Sequence, residues 1–417
     1  MTVIRIPQSV TSARAVRLSE EVLDGSRPLF IPKHVSYKNA LSVSLVTQSV
    51  ITWGVHPADG GLVTDIDLDD SRAAQDLARN TPLLAAFALA TSVQTLDGVD
   101  ITERAKALSR FTLTEWAADI PQLAQGITVG TDRAVMAVDH EPSVIRPRGI
   151  YPRPHLDEES RPLYAGRPWK DALELRGRRP LGHRVLGISG QNPEGWGDNY
   201  SATGSALGML LFELLQNTDI HARRTVYGNP LPRSVRLLHV RGFSQERSVL
   251  VRSDPADTTL MNFYANAPAV AGNERLRFLV ISVLDSGPGL AATLLRRENY
   301  TAPTSPTHEL EYFLRALRMT SSGSTREPMR GLGLRRVQTF LTALGGFARI
   351  RSGRFEVQRN FASAPYQGPE SDDRKWWGGV GAPTAKEKLA GTAFTLLIPV
   401  PPSAAADVLW RAAADGG

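Results

Sequence analysis

Three polar side chains recur at helical spacing within a stretch that is otherwise rich in leucine. Glu213, Asn217 and His221 lie at i, i+4 and i+8, so a helix would align them on one face. The leucines of Leu207–Ala222 also follow helical spacing, which predicts an apolar stripe that packs against a core. An aligned carboxylate and carboxamide suit a metal-and-water site, with Asn217 as a neutral oxygen ligand for Mg²⁺ and Glu213 as a base. A solvated polar edge of the helix would show the same pattern, so this stretch alone leaves both interpretations open.

A further carboxylate lies at the end of a β-rich run. Leu279–Leu284 is predicted to be a buried strand, Asp285 follows it directly, and Ser286–Gly289 then breaks the strand with strong turn signals. A carboxylate in this position, followed by Gly287 and Gly289 that let a ligand approach the backbone, suits recognition of an adenine amino group. An ordinary strand-ending turn has the same residues, so Asp-x-Gly alone is weak evidence.

Glycines open two more stretches. Gly331 and Gly333 precede a segment whose leucine and valine residues follow helical spacing, and the pair Gly345-Gly346 ends it. Glycines at a helix start expose backbone N–H groups, which form an anion site together with the helix dipole. A plain glycine-rich loop is the alternative. The last stretch, Gly391–Pro399, is predicted to be a strand that opens with a Gly-Thr pair.

In this order, the four stretches resemble the motifs of the GHKL (Bergerat-fold) ATPase superfamily, which includes gyrase B, histidine-kinase catalytic domains and anti-sigma-factor serine kinases. ELLQNTDIHA is similar to the N box, DSGPGL to the adenine-binding D-x-G-x-G box, RGLGL to the phosphate-loop G box, and GTAFTLLIP to the final G-T strand. Each motif is short, but the ordered set is specific and covers roughly the last half of the chain. The resemblance implies an α+β two-layer sandwich over residues 201–400.

The resemblance also implies a role for each matching residue. Asn217 would ligate the Mg²⁺ that bridges the phosphates of ATP, and Glu213 would orient or deprotonate the attacking group. Asp285 would bind the adenine amino group, with support from Thr392 through water. The remaining residues implied in nucleotide binding belong to the glycine motifs and to the lid, and they are Gly287, Gly289, Ser322, Gly323, Gly331, Leu332, Gly333 and Leu334.

The chemistry that the resemblance implies is phosphoryl transfer by positioning and charge neutralisation. The segment between Leu290 and Arg330 would be the ATP lid, and its polar stretch Thr320–Thr325 suits a loop that closes over a ligand. We therefore expect a Mg²⁺-dependent ATPase that acts as an ATP-driven conformational switch. The alternatives are a protein serine/threonine kinase of the anti-sigma-factor type and a nucleotide-sensing interaction module without turnover.

Two other regions bear on the choice of subfamily. His155 and His183 lie among prolines and glycines rather than on a helical hairpin, which argues against a self-phosphorylating histidine kinase. Only a short Ala-rich tail, residues 401–417, follows the last predicted strand, so we expect no further domain that brings a lysine to the terminal phosphate. A partner or an arginine of this chain would then supply a cation. The intrachain candidates are Arg330, Arg335 and Arg336.

The composition is that of an ordinary globular protein, with 417 residues, a formal net charge of +6, 42% hydrophobic and 22% charged residues. The absence of cysteine excludes disulfides and thiolate metal sites. The longest apolar run, Leu83–Val93, is too short to span a bilayer, and Met1–Ser9 lacks the apolar core of a secretory signal. We therefore expect a cytoplasmic protein without a membrane partner. The expected partners are ATP and a protein partner or second copy of the chain. The arginine-rich segments leave nucleic acid as an open alternative, although they match no nucleic-acid motif.

The domain organisation follows from the alternation of predicted elements. Residues 1–140 are predicted to form a smaller α/β domain with a loose similarity to STAS-like regulatory domains, and residues 141–200 form a connection rich in Pro, Gly and Arg. Within the first domain, Thr81-Pro82 is predicted to start a helix that runs through the apolar stretch Leu83–Thr95. Val235–Val240 and Ser248–Val251 are predicted to form a β-hairpin.

An aromatic pair, Trp376-Trp377, lies in a polar loop. It is interpreted either as a local anchor that packs on its own domain or as a docking point for a partner, because tryptophan is favoured at interface hot spots.

Overall fold

The fold is described from a computed structural model. None of the described helices is both long enough and apolar enough to cross a bilayer. The predicted connection, at residues 141–199, and the predicted tail, 401–417, lie outside the described residues. The described residues are 2–56, 61–70, 73, 76–77, 80–109, 133–140, 200–222, 224–227, 229, 231, 233–253, 257–269, 274–297, 305–318, 333–368, 373–377 and 383–400.

The first part of the chain forms a small parallel sheet with helices. Its elements are β1 (Ile4–Arg5), β2 (Ser9–Val10), α1 (Ser12–Glu21), β3 (Leu29–Ile31), β4 (Ser36–Tyr37), α2 (Ser42–Gly54), β5 (Leu62–Thr64), α3 (Thr81–Leu89), β6 (Val93–Thr95) and α4 (102–109). Four strands pair in parallel in the order β1-β3-β5-β6, and β2 and β4 form a separate parallel pair.

The single helix predicted for Leu83–Thr95 is wrong. Helix α3 ends at Leu89, because Ala90 adopts a ψ of 139°, outside the helical region. The β-branched residues Val93 and Thr95 then form strand β6, which pairs with β5. The helix begins at Thr81, as the Thr81-Pro82 pair predicts, and the side chain of Asn80 caps it by accepting from the N–H of Leu83.

The described strands after α4 form a six-stranded antiparallel sheet in the order β11-β10-β12-β9-β8-β7. Together with the parallel sheets and the helices, it makes the protein a mixed α/β structure. The elements are β7 (Arg133–His140), α5 (Tyr200–His221), β8 (Arg233–Glu246), α6 (Arg247–Ser253), α7 (Thr258–Asn266), β9 (Arg275–Asp285), α8 (Leu290–Arg297), α9 (Pro306–Arg318), α10 (Gly333–Ala343), β10 (Phe347–Gly353), β11 (Phe355–Asn360) and β12 (Leu389–Pro399).

The β-hairpin predicted after α5 is also wrong. Val235–Val240 is part of β8, which pairs with β9 without interruption from Arg236 to Glu246. Ser248–Val251 instead belongs to helix α6. Arg247 holds the start of this helix by donating to Glu274 and to backbone carbonyls of the α7 segment. This long-range contact is invisible in the local sequence pattern.

Both faces of the large sheet are buried, which explains why β9 has an almost continuous apolar run. Leu279, Ile281 and Val283 of β9 pack on one face against α5, α8, α9 and α10. On the other face, Leu284 packs against a core shared by α1–α3 and the small sheet. Val280 packs there against α6 and α7. Helix α5 therefore buries the leucine stripe that the sequence predicts, with Leu207, Leu210, Leu211, Leu214 and Leu215 all buried.

The aromatic pair of the last loop is a local anchor. Trp376 is buried and meets Phe361 edge to face, with 5.7 Å between ring centroids. The buried guanidinium of Arg359 lies over the rings of Phe361, Tyr366 and Trp376. Burial lowers the pKa of Arg359 to about 10. This cluster fixes the loop on its own core.

A polar stripe of α2 joins the first part of the chain to strand β12. Ser44, Gln48 and Thr52 follow each other at i, i+4 and i+8 on one side of the helix. The Oγ1 of Thr395 donates to Ser44 at 2.7 Å, and Gln48 donates to the carbonyl of Ala390 at 3.2 Å. The N–H of Ala390 donates to Thr52 Oγ1 at 2.9 Å. Side chains therefore hold the beginning and the middle of β12 in place.

We expect Thr52→Val to lower the free energy of unfolding by about 1–2 kcal/mol, because the N–H of Ala390 loses its acceptor. Thr47→Val is the matched control, since the one hydrogen bond of its buried hydroxyl within the described ranges goes to Val43 of its own helix. Denaturant unfolding measures both variants. Equal losses in the two would show that the contact with β12 contributes nothing specific.

Candidate functional site

An open cleft lies where α5 and the start of α10 meet the ends of β9 and β12. Six of the residues predicted from the four motifs line the cleft, although they come from four stretches that lie far apart in the sequence. These six are Asn217, Asp285, Gly289, Gly333, Leu334 and Thr392.

The other predicted site residues fall into two groups. Glu213 and Gly287 lie directly beside the cleft: Glu213 is next to Gly333, and Gly287 packs on Ala222 at the end of α5. The predicted lid and phosphate-loop residues lie outside the described residues, and they are Ser322, Gly323, Gly331 and Leu332.

Asp285 is held at one end of the cleft by hydrogen bonds to only one of its oxygens. Its Oδ1 accepts from the N–H of Gly287 at 2.8 Å and from the N–H of Thr392 at 3.2 Å. Among the described residues, Oδ2 has no hydrogen-bond partner. The backbone therefore orients the carboxyl group and leaves one oxygen for a ligand.

Burial determines the protonation of this carboxyl group. Loss of water raises the pKa of Asp285 from 3.8 to about 7, against the opposing effect of the two backbone N–H groups and of Arg236 on the neighbouring strand. The ionised form, which can only accept hydrogen bonds, therefore gains population as pH rises through neutrality.

Close backbone contacts shape this end of the cleft. Gly391 has a φ of +73°, and a Cβ on it would lie 1.6 Å from the carbonyl oxygen of Asp285. Its N–H donates to the carbonyl of Gly287 at 2.8 Å. A Cβ on Gly287 would in turn lie 2.6 Å from the Cα of Ala222. Only glycine allows the turn after β9 to fit between α5 and β12.

Ser352 supports the cleft from behind its lining residues, and no sequence motif indicates it. Its Oγ accepts from the N–H of Leu290 at 2.8 Å and lies 3.1 Å from Thr392 Oγ1. It thus ties the turn after β9 to strand β12 from the neighbouring strand β10. A serine before a glycine in a strand carries no local signal for this role, which depends on the register of the sheet.

The opposite end of the cleft is polar. A Cβ on Gly333, the first residue of α10, would lie 2.9 Å from Glu213 Oε2 and 3.4 Å from Asn217 Nδ2. The side-chain amide of Asn217 makes no hydrogen bond within the described residues. The first N–H groups of a helix lack intrahelical partners and favour negative charge. The stretches that resemble the N box and the G box therefore meet at this end, where the first N–H groups of α10 lie beside Glu213 and Asn217.

Glu213 is buried, and an arginine of α10 binds it. Arg336 Nη1 donates to Glu213 Oε1 at 2.7 Å, and the Arg336 side chain is 40% exposed while that of Glu213 is 6% exposed. In the sequence, Arg336 is one of three candidate cations that nothing tells apart. The tertiary contact distinguishes it from Arg335, whose Nε donates to Tyr366 Oη at 3.1 Å.

We expect Gly391→Ala to disrupt the cleft, because the new methyl group would overlap the backbone of Asp285. Gly98→Ala is the matched control: Gly98 also has a positive φ, +84°, but nothing lies within 4 Å of an added Cβ. The control should lose only the stability that backbone strain costs, about 1–2 kcal/mol. Thermal melts should therefore show a clearly larger loss for Gly391→Ala, and equal losses would contradict the close approach.

Asp285 is expected to lower folding stability at alkaline pH. The raised pKa means that the folded protein favours the protonated form of Asp285 over the ionised form. The stability that protonation contributes is complete below the ordinary pKa of 3.8 and is lost as pH rises through about 7. Asp285→Asn keeps an acceptor for Gly287 and Thr392 but cannot ionise. We expect this variant to melt a few degrees above the wild type at pH 8 and to gain much less at pH 5. A gain that is independent of pH would contradict the assigned cause.

Comparisons of this chain with protein-family models, with curated proteins and with solved structures found no match in any of the three. The functional assignment therefore depends on the geometry of the cleft and on the motif resemblance.

Proposed function

We propose that this chain binds Mg²⁺-ATP in the cleft and hydrolyses it, as an ATPase of the GHKL (Bergerat-fold) type that acts as a conformational switch. The observation that carries the proposal is the meeting of the four motif stretches at one cleft. Chance similarity of four short motifs does not require their residues to be neighbours in space. Here Asn217, Asp285, Gly333 and Thr392 line the same cavity.

The Asp285 end suits an adenine ring. Its free carboxylate oxygen can accept a hydrogen bond from an exocyclic amino group. Apolar side chains, Leu290, Leu294 and Phe394, are among the lining residues of the cleft and suit an aromatic ring. Gly289 has a φ of +88°, and a Cβ on it would lie 2.8 Å from Ser352 Oγ, so glycine lets the turn after β9 pass close to this wall of the cleft. These features favour an adenine nucleotide over a purely apolar ligand.

The Asn217 end suits Mg²⁺ that is shared with phosphates. Its unengaged amide faces the cleft, and no group of three His, Asp or Glu side chains in the described ranges forms a metal site made by protein alone. Mg²⁺ commonly takes one or two protein oxygens and completes its shell with phosphate oxygens and water. When bound, the ion would neutralise charge on the phosphates.

The chemistry proposed for the protein is positioning. Glu213, beside Asn217 and one turn before it on α5, would orient or deprotonate the attacking water. The N–H groups at the start of α10 would face the phosphates and stabilise the charge that develops there.

The proposed switch connects the cleft to the first part of the chain through β12. Thr392 contacts Asp285, whereas Ala390, two residues earlier, is held by Thr52 and Gln48 of α2. A shift of this strand segment on nucleotide binding would therefore change its contacts with α2. The partner that would read this change is a protein or a second copy of the chain.

The test uses purified protein, γ-labelled ATP and Mg²⁺, with Glu213→Gln, Asn217→Ala and the control Glu311→Gln, which removes an exposed carboxylate on α9. We expect phosphate release by the wild type and the control. Glu213→Gln should lower turnover by roughly 10²–10⁴-fold while ATP affinity changes little, because it removes a base and keeps the shape of the side chain. Asn217→Ala should lose Mg²⁺-dependent affinity and turnover together.

The same assay separates the alternatives. Acid-stable label on protein would indicate a hydroxyl-directed kinase, and ATP binding without either product would indicate a nucleotide sensor. If the wild type binds no ATP in the presence of Mg²⁺, the proposal is wrong.

A further inference from the structure

The ion pair between Arg336 and Glu213 leaves most of the guanidinium unused. Arginine has five N–H donors, and among the described residues only one of them, on Nη1, is engaged, by Glu213 Oε1. The side chain is partly exposed, whereas its carboxylate partner is buried. Arg336 is therefore fixed at one point, and its partly exposed guanidinium keeps donors that no described residue uses.

The charge balance at this end of the cleft calls for a cation. No lysine or arginine is among the described residues that line the cleft. Glu213 adds a negative charge beside Gly333 and Asn217, where the phosphates are proposed to bind. A buried carboxylate next to a phosphate group would repel it unless a positive group lies between the two.

We propose that Arg336 bridges Glu213 and the terminal phosphate of ATP, so that it recognises a nucleoside triphosphate over a diphosphate. This inference rests on the proposed function. One edge of the guanidinium stays on Glu213, and the free N–H groups donate to phosphate oxygens. A planar fork with several donors suits this double contact, as a single ammonium group would not. The same contact would hold Glu213 at a fixed place relative to the phosphate that is attacked.

The position of Arg336 in α10 supports the bridge. It lies three residues after Gly333, so it belongs to the first turn of the helix, whose N-terminal end faces Glu213 and Asn217. Arg335, its neighbour, is directed elsewhere by its hydrogen bond to Tyr366. The two arginines are therefore a natural pair for a comparison.

The test measures dissociation constants for ATP and ADP with Mg²⁺ by calorimetry in a Glu213→Gln background. This background removes the buried charge that a lone Arg336 variant would leave unpaired, keeps an oxygen acceptor for Arg336, and prevents turnover of ATP. The variants to compare are Glu213→Gln alone and Glu213→Gln combined in turn with Arg336→Gln, with Arg336→Lys, and with Arg335→Gln as the control.

We expect Arg336→Gln to weaken ATP binding by roughly ten- to hundredfold and to leave ADP binding within about twofold, since the lost contact is to the terminal phosphate. Arg335→Gln should change neither constant beyond about twofold. Arg336→Lys should restore part of the preference for ATP, because it keeps the charge but not the fork.

Three outcomes would overturn the inference. If Arg336→Gln weakens ATP and ADP equally, or changes neither, the arginine does not read the terminal phosphate, although the chain still binds nucleotide. If Arg335→Gln lowers the preference for ATP as much as Arg336→Gln, the effect is one of general charge. If the Glu213→Gln protein and the wild type bind neither nucleotide, the proposed function itself fails and the inference fails with it.

Discussion

The close approach of Gly391 to the carbonyl of Asp285 is the constraint on which the cleft depends. It places the N–H of Thr392 on the Asp285 carboxyl group and the N–H of Gly391 on the carbonyl of Gly287. Two strands that are more than one hundred residues apart in sequence are thereby joined at their ends. Any side chain at residue 391 would separate them, and the carboxyl group would lose the backbone donors that orient it.

The sheet can hold a carboxyl group in this buried position because packing supports it from both faces. Helices α5, α8, α9 and α10 cover one face, and the first part of the chain together with α6 and α7 covers the other. Burial of Asp285 raises its pKa and costs stability once the group ionises. The large apolar cores offset that cost. A site residue that opposes stability is a common sign of a functional role, because nothing in folding alone favours it.

At the other end of the cleft, the main feature is the placement of charged and polar side chains. Glu213 is buried, Arg336 compensates it from the edge, and Asn217 presents an uncharged amide beside both. Phosphoryl transfer requires mainly that charges be placed before the reaction begins. The proposed roles of these three residues follow from that requirement. Strand β12 then relates the cleft to α2, since its first residues contact both.

The local sequence determined the elements that carry the site, whereas only the tertiary structure decided which side chains act together. The leucine spacing of Leu207–Ala222 and the β-rich run before Asp285 specify a helix and a strand, because periodicity depends on neighbours in the chain. Local pattern was misleading at Leu83–Thr95 and at Ser248–Val251, where pairing with β5 and the contacts of Arg247 prevail. No local sequence pattern indicates the role of Ser352 or distinguishes Arg336 from Arg335. Their roles arise from strand register and helix rotation, which are set by contacts between residues distant in sequence.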